Sequence, residues 1–165
     1  MQKCLYSLCP TDCLETVINN TFRNENYFYT SLGNSVIFSN NTITEIKILI
    51  SKHRINEVCF VLSNDNHFIL DALKNNNFSN IRGLSTFYKE IKNKKKHSES
   101  LRYDDYNHFS ILSFYLNSKI KELKLELGNS VNQQVKITAK IYDRFQHKFE
   151  NVYSDLLCIE TYHLN

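Results

Sequence analysis

Three short polar segments carry the residues best suited to chemistry: Cys9-Pro10-Thr11-Asp12-Cys13, Thr30-Ser31-Leu32-Gly33-Asn34 and Ser63-Asn64-Asp65-Asn66-His67. Each follows an apolar run that reads as a strand. Thiolate and imidazole are good zinc ligands, so Cys9 and His67 could converge on a metal if the strands before them are neighbours. On residue types alone, a single Cys and a single His are better explained by structural, unliganded roles. In an open α/β sheet, ligands bind beyond the strand carboxyl ends, where neighbouring strands send their crossovers to opposite sides. These three turns are therefore the expected site.

The elements that must position the turns show in the hydrophobic pattern. Lys3 to Leu8 reads as a strand stopped by Pro10, after which Thr11 or Asp12 is placed to cap a helix through about Asn19. Tyr27 to Thr30 is a second, aromatic strand bounded by polar residues and Gly33. Ser39 or Thr42 opens a helix in which Ile43, Ile46, Leu49 and Ile50 recur at helical spacing, ending near His53. Val58 to Leu62 is a continuous apolar run of the kind buried on both faces of a parallel sheet. A helix from Asn66 to about Asn76 follows, with Phe68, Ile69, Ala72 and Leu73 inward. This alternation predicts an open α/β sheet with right-handed crossovers.

From Phe78 to Asp105 the pattern reads as irregular. The block Lys89-Glu90-Ile91-Lys92-Asn93-Lys94-Lys95-Lys96-His97 fits a solvated helix end or mobile loop, the sharper alternative being an anion or nucleic-acid patch. A long helix from Asn107 to Leu127 carries Ile111, Leu112, Tyr115, Leu116, Ile120 and Leu123 as a stripe, with Gly128 as its stop. Val135 to Ile141 alternates as a strand, and Phe149 to Tyr153 returns antiparallel to it across Asp143 to Lys148. The predicted architecture is a mostly parallel central sheet with one antiparallel edge strand and helices on both faces.

Composition narrows the classes. The 165 residues fit a single domain spanning 1–165, and 42% hydrophobic with 13% aromatic residues argue against disorder. Three Gly and one Pro exclude collagen-like and Pro-rich architectures. A net charge of +3 is too near neutral to argue for nucleic acid by itself. Asn runs such as Asn75-Asn76-Asn77 fit a drift toward Asn and Lys rather than a prion-like tract. No apolar run approaches the roughly 20 residues of a membrane span, and the start Met1-Gln2-Lys3-Cys4-Leu5-Tyr6 lacks a secretory pattern. Five cysteines without a dense even spacing suit a reducing compartment. A cytoplasmic protein with free thiols, Cys59 among the core residues, is the expectation.

Taken in order, these turns and runs resemble the β-class carbonic anhydrases, particularly their shorter bacterial members, over most of the chain. Cys9-Pro10-Thr11-Asp12-Cys13 sits where that family has a zinc Cys followed by the Asp and Arg of a catalytic dyad. Tyr27, Phe28 and Tyr29 lead into Thr30 to Asn34, in the place of the family's Arg-Asn-Ala-Gly turn, of which Gly33 is kept. The helix from Ser39 to Arg54 and the strand Glu57 to Leu62 look like the next crossover and central strand, and Ser63 to His67 falls on the His-x-x-Cys zinc turn. Lys136 to Asp143 looks like the late strand and Tyr-Asp turn. The resemblance implies strand order 2-1-3-4-5.

It also implies a damaged centre. The zinc Cys is Cys9, the zinc His position is Asn64 and the second zinc Cys position is His67; the dyad Asp is Thr11 and its Arg is Cys13. Family catalysis uses zinc to lower the pKa of bound water so that hydroxide attacks carbon dioxide. Asn64 is a poor zinc ligand, which leaves Cys9 and His67 as the metal candidates. Asp65 could add a carboxylate, and Cys13 or Cys4 a thiolate, but none occupies a family ligand position. A one-residue slip at Cys9 would bring Asp12 nearer the dyad position. The resulting expectation is a non-catalytic carbonic-anhydrase-like protein. Its residual pocket at Cys9, Thr11, Cys13, Ser31, Gly33, Asn64 and His67 would take a small ligand or anion, or be structural. The rivals are a divergent zinc enzyme using Cys9, His67 and a non-family ligand such as Asp65, and an interaction module meeting an acidic partner through Lys89–His97. With the first strand starting at Lys3, no counterpart of the family's N-terminal arm is expected, so the arm is not the expected means of association. The surplus of aromatics, including Phe109, Phe114, Tyr115 and Tyr142, predicts a homodimer using the sheet edge or the long helix. Neither a membrane nor nucleic acid is an expected partner.

Overall fold

The computed structural model describes residues 2–99, 107–128 and 135–152. Along the chain run β1 (Lys3–Leu8), α1 (Glu15–Thr21), β2 (Glu25–Thr30), α2 (Asn40–His53), β3 (Glu57–Ser63), α3 (His67–Lys74), α4 (Leu84–Glu99), α5 (Asn107–Leu127), β4 (Lys136–Asp143) and β5 (Lys148–Asn151). They build one five-stranded sheet of order β2-β1-β3-β4-β5. The first four strands are parallel, and β5 returns antiparallel to β4. The expected α/β architecture and strand order are therefore present.

Side chains alternate across this sheet with period two, and the two faces are unequal. Leu5, Val58, Phe60, Leu62, Ile137, Ala139 and Ile141 point into a large core shared with α2, α3, α4 and α5. Cys4, Tyr6, Leu8, Cys59, Val61 and Tyr142 point the other way, where Leu14 and Ile18 flank a ring-rich cluster with Phe22, Phe28 and Phe149. Helices thus cover both faces, but on the second face only α1 does so among the described residues. Tyr115 and Tyr142 are 1% and 3% exposed, so these two aromatics are used by the chain's own core and call for no partner. No helix among the described residues is long and apolar enough to cross a membrane.

Two expectations need correction. The stretch read as irregular contains α4, sixteen residues long, whose Leu84, Phe87, Tyr88 and Ile91 form a buried row at helical spacing. The lysines around these four residues hid the row. The helix expected from Thr11 or Asp12 instead begins at Glu15, after a single 3₁₀ turn over Pro10–Asp12 and a left-handed Cys13 (φ 52°). Asp12 does not cap a helix, because its side chain is directed to β3. Ser39 does act as an N-cap, accepting from Thr42 N–H, and Asn66 caps α3 by accepting from Phe68 and Ile69 N–H. The expected return strand extends to Tyr153, which lies outside the described residues.

Candidate functional site

The switch point of this sheet lies between β1 and β3, since β1 continues into α1 on one face and β3 into α3 on the other. Asp12 occupies it. The 3₁₀ turn after β1 swings this carboxylate across the gap, where one oxygen accepts Ser63 N–H at 2.9 Å and the other accepts the Asn66 amide at 2.8 Å. Asp12 is 2% exposed. Burial pushes its carboxyl up to about 6, against the opposing pull of the Ser63 and Asn66 donors. Each oxygen thus has a protein partner, one on β3 and one at the cap of α3.

Arg144, from the β4–β5 turn, closes the same end. Its Nε donates to both Asp65 oxygens at 3.1 and 2.9 Å, and its terminal nitrogen donates to the Asp12 carbonyl at 2.8 Å. Partial burial alone would raise Asp65, yet the Ser63 hydroxyl and Arg144 hold it below its ordinary value. The turn that delivers Arg144 is set by Asp143, whose carboxylate accepts Phe145 and Gln146 N–H at 2.9 Å each, and by His147 in the left-handed region. The β1–β3 crevice is thus filled by protein groups bonded to each other.

Cys9 lies beside this knot and is 1% exposed. Its sulfur accepts Gly33 N–H at 3.1 Å and shares a hydrogen with the Thr11 hydroxyl at 3.0 Å. Gly33 adopts φ 59°, and a Cβ there would stand 3.1 Å from the Phe87 ring, so both backbone and space favour glycine. Next to it Asn34, also left-handed (φ 55°) and fully buried, ties three elements together. Its amide donates to the carbonyls of Ser7 (3.0 Å) and Val61 (2.8 Å), and its side-chain oxygen accepts the Ser7 hydroxyl (2.7 Å). Its own carbonyl accepts Tyr115 O–H at 3.0 Å.

Of the seven expected site residues, Cys9, Thr11 and Gly33 are brought together by these bonds. Ser31 joins through its backbone, which accepts Asn34 N–H, while its hydroxyl has no partner among the described residues. Asn64 turns its side-chain oxygen to Arg144 N–H at 3.4 Å. Cys13 is exposed, its thiol turned back to the Pro10 carbonyl. His67 is exposed on the first turn of α3 with its ring against Phe68 and Phe78, and no hydrogen bond joins it to Cys9. A small apolar cavity bordered by Leu5, Val36, Phe38, Phe60 and Leu123 includes none of the seven. Asn34, Asn66 and Arg144 are not among the expected site residues, and Asp12 enters the sequence reading only as a helix cap or, after a one-residue slip, near the dyad position. An Asn directly after a turn glycine was a usable signal for Asn34, whereas Arg144 lies 132 positions from Asp12 with no local mark.

Zinc, the cofactor implied by the resemblance, does not suit this donor set. Among the described residues no three His, Cys, Asp or Glu side chains converge as a metal-binding group. Cys9 and His67 are two ligands where catalytic zinc takes three from the protein, and Asp65, the third candidate, is held by Arg144.

No protein-family model matches the chain, and no curated protein sequence matches it. Solved structures do. The β-carbonic anhydrase CafD of Aspergillus fumigatus superposes with a TM-score of 0.74 at 14% identity, over 93% of this chain and 90% of that one. One of two tetrameric β-carbonic anhydrases from Sordaria macrospora gives 0.69 at 15%, over 92% and 80%. The Coccomyxa β-carbonic anhydrase, in complex with acetazolamide, gives 0.68 at 10%, over 99% and 85%. At such identities the likeness is one of fold, and the fold is that of the β-carbonic anhydrases.

Proposed function

We propose that this chain uses a β-carbonic-anhydrase fold without carbon dioxide hydration, its switch-point crevice serving as a structural joint. The observation that carries the reading is Asp12, buried between Ser63 N–H and the Asn66 amide where a fold of this kind otherwise admits a ligand. A fold outlasts the chemistry once built on it, so the architecture does not argue for the reaction. The replacements support the same view. Asn64 brings an amide in place of an imidazole, Thr11 and Cys13 bring neither carboxylate nor guanidinium, and the Cys9 sulfur is already hydrogen-bonded.

Self-association belongs to the same proposal. Strand β2 is an edge of the sheet, paired on one side with β1, and Tyr27, Phe28 and Tyr29 on it are half-buried. A second copy at this edge would complete their burial and satisfy the strand's open backbone groups. Light scattering at micromolar concentration gives a dimer mass on this reading, and a monomer mass opposes it.

The test of the main claim is metal analysis of protein purified without chelators, together with stopped-flow carbon dioxide hydration. The expected result is zinc far below one per chain and no rate above background. About one zinc per chain with measurable hydration would instead establish a divergent zinc enzyme built on Cys9, His67 and a further ligand.

A further inference from the structure

The charge of this chain is unevenly placed. Seven of its 20 Lys and Arg but one of its 17 Asp and Glu lie between residues 74 and 97, so that stretch is +6 and the remainder −3. Helix α4 carries five of these seven cations. Its Leu84, Phe87, Tyr88 and Ile91 are buried, and Lys95 folds back to donate to the Leu73 carbonyl at 3.0 Å. Ser85, Lys89, Lys92 and Lys96, spaced i, i+4, i+7 and i+11, form a separate exposed row. Elsewhere cations such as Lys3, Lys119, Arg144 and Lys148 are matched with carboxylates. Lys89, Lys92 and Lys96 have no carboxylate within ion-pair distance among the described residues.

We propose that the Lys89–Lys92–Lys96 row of α4 is a docking surface for an acidic helical segment of a partner protein. The three ammonium groups span about 10 Å of helix axis, and carboxylates at i, i+4 and i+7 of a second helix repeat at the same interval. A duplex fits the row less well. It carries a charge about every 1.7 Å, far denser than three ammonium groups over about 10 Å can match. The row also offers no exposed aromatic ring to stack a base and no guanidinium to fork onto a phosphate or guanine. The row lies apart from the crevice, and its role stands or falls separately from the reading of the zinc positions. Exposed pairs contribute little each, so the docking is weak and salt-sensitive.

Fluorescence anisotropy with the full chain tests it, using four probes. They are a helical peptide with Glu at i, i+4, i+7 and i+11, its Gln counterpart, a peptide of the same composition with its Glu residues clustered, and a short DNA duplex. The register-matched Glu peptide binds, the Gln peptide does not, and binding falls at least about tenfold between roughly 20 mM and 300 mM salt. Combining Lys89→Gln, Lys92→Gln and Lys96→Gln weakens it at least about fivefold. The same number of charges removed at exposed Lys47, Lys52 and Lys121 changes it less than about twofold. All six altered lysines are exposed, so far-ultraviolet circular dichroism should show both variants folded. Equal loss in the two variants, equal binding of the clustered peptide, tighter binding of the duplex, or no binding of the Glu peptide at low salt would each overturn the proposal.

Discussion

Substituting Asp12→Asn replaces a buried carboxylate with a neutral amide of the same shape, and the surroundings of Asp12 set what this does to stability. Burial raises the carboxyl from an ordinary 3.8 to about 6. A shift of about 2 units corresponds to about 3 kcal/mol at 1.36 kcal/mol per unit, with no discount for solvent screening at such low exposure. The folded carboxyl keeps its proton to higher pH than the unfolded one. The stability it confers is therefore fully present below about pH 4, falls as pH rises towards 6, and is lost above that. Integrated between about pH 4 and pH 7, the loss is about 2 kcal/mol. The amide, which does not titrate, has no such loss. At neutral pH the variant gains by removing the buried charge, but one amide hydrogen then faces the Asn66 amide, whose oxygen is fixed by capping α3. That conflict costs about 1–2 kcal/mol, leaving the variant near parent stability at pH 7 and well below it at pH 4. Urea unfolding followed by circular dichroism across this pH range measures both slopes. Parallel curves for parent and variant would refute the placement of Asp12 as a buried carboxylate whose ionisation burial opposes.

Asn34→Ala strands the Ser7 hydroxyl and the Ser7 and Val61 carbonyls and forces Ala to φ 55°, so a loss of about 3–5 kcal/mol in urea unfolding is expected. Gly33→Ala presses a Cβ onto the Phe87 ring and should cost about 2 kcal/mol, partly recovered by Phe87→Leu in the same chain. Ile91→Ala, at a fully buried position of α4, should lower stability by about 2–5 kcal/mol. An effect under about 0.5 kcal/mol would mean that α4 is not docked.

The sheet was legible because its strands are apolar runs separated by turn residues, and β3 in particular, Glu57–Ser63, offers no competing helical period. Helix α4 was obscured because periodicity must be read through a block of like charges, which by itself reads as a loop. The chemistry of the crevice was legible only in part. Residue types marked Cys9 and His67, but a carboxylate just after a strand reads locally as a helix cap. Nothing near Asp12 announces that its partners are Ser63 and Asn66, 51 and 54 positions on. Such pairings are created by the parallel sheet, which brings the ends of β1 and β3 together, and so become visible only once strand order is known. Arg144 is the extreme case, reaching Asp65 and Asp12 from the turn after β4.

Erosion of the zinc positions is tested most directly by a competitive zinc titration of the parent beside the Asn64→His, His67→Cys variant. The double change restores an imidazole and a second thiolate at the two positions that the resemblance pairs with Cys9, and is expected to bind zinc tighter than the parent by on the order of 100-fold or more. Its hydration rate should remain low, since Thr11 and Cys13 still stand where a carboxylate and guanidinium would be needed. A parent chain that already binds zinc as tightly as the variant would contradict the erosion of this centre.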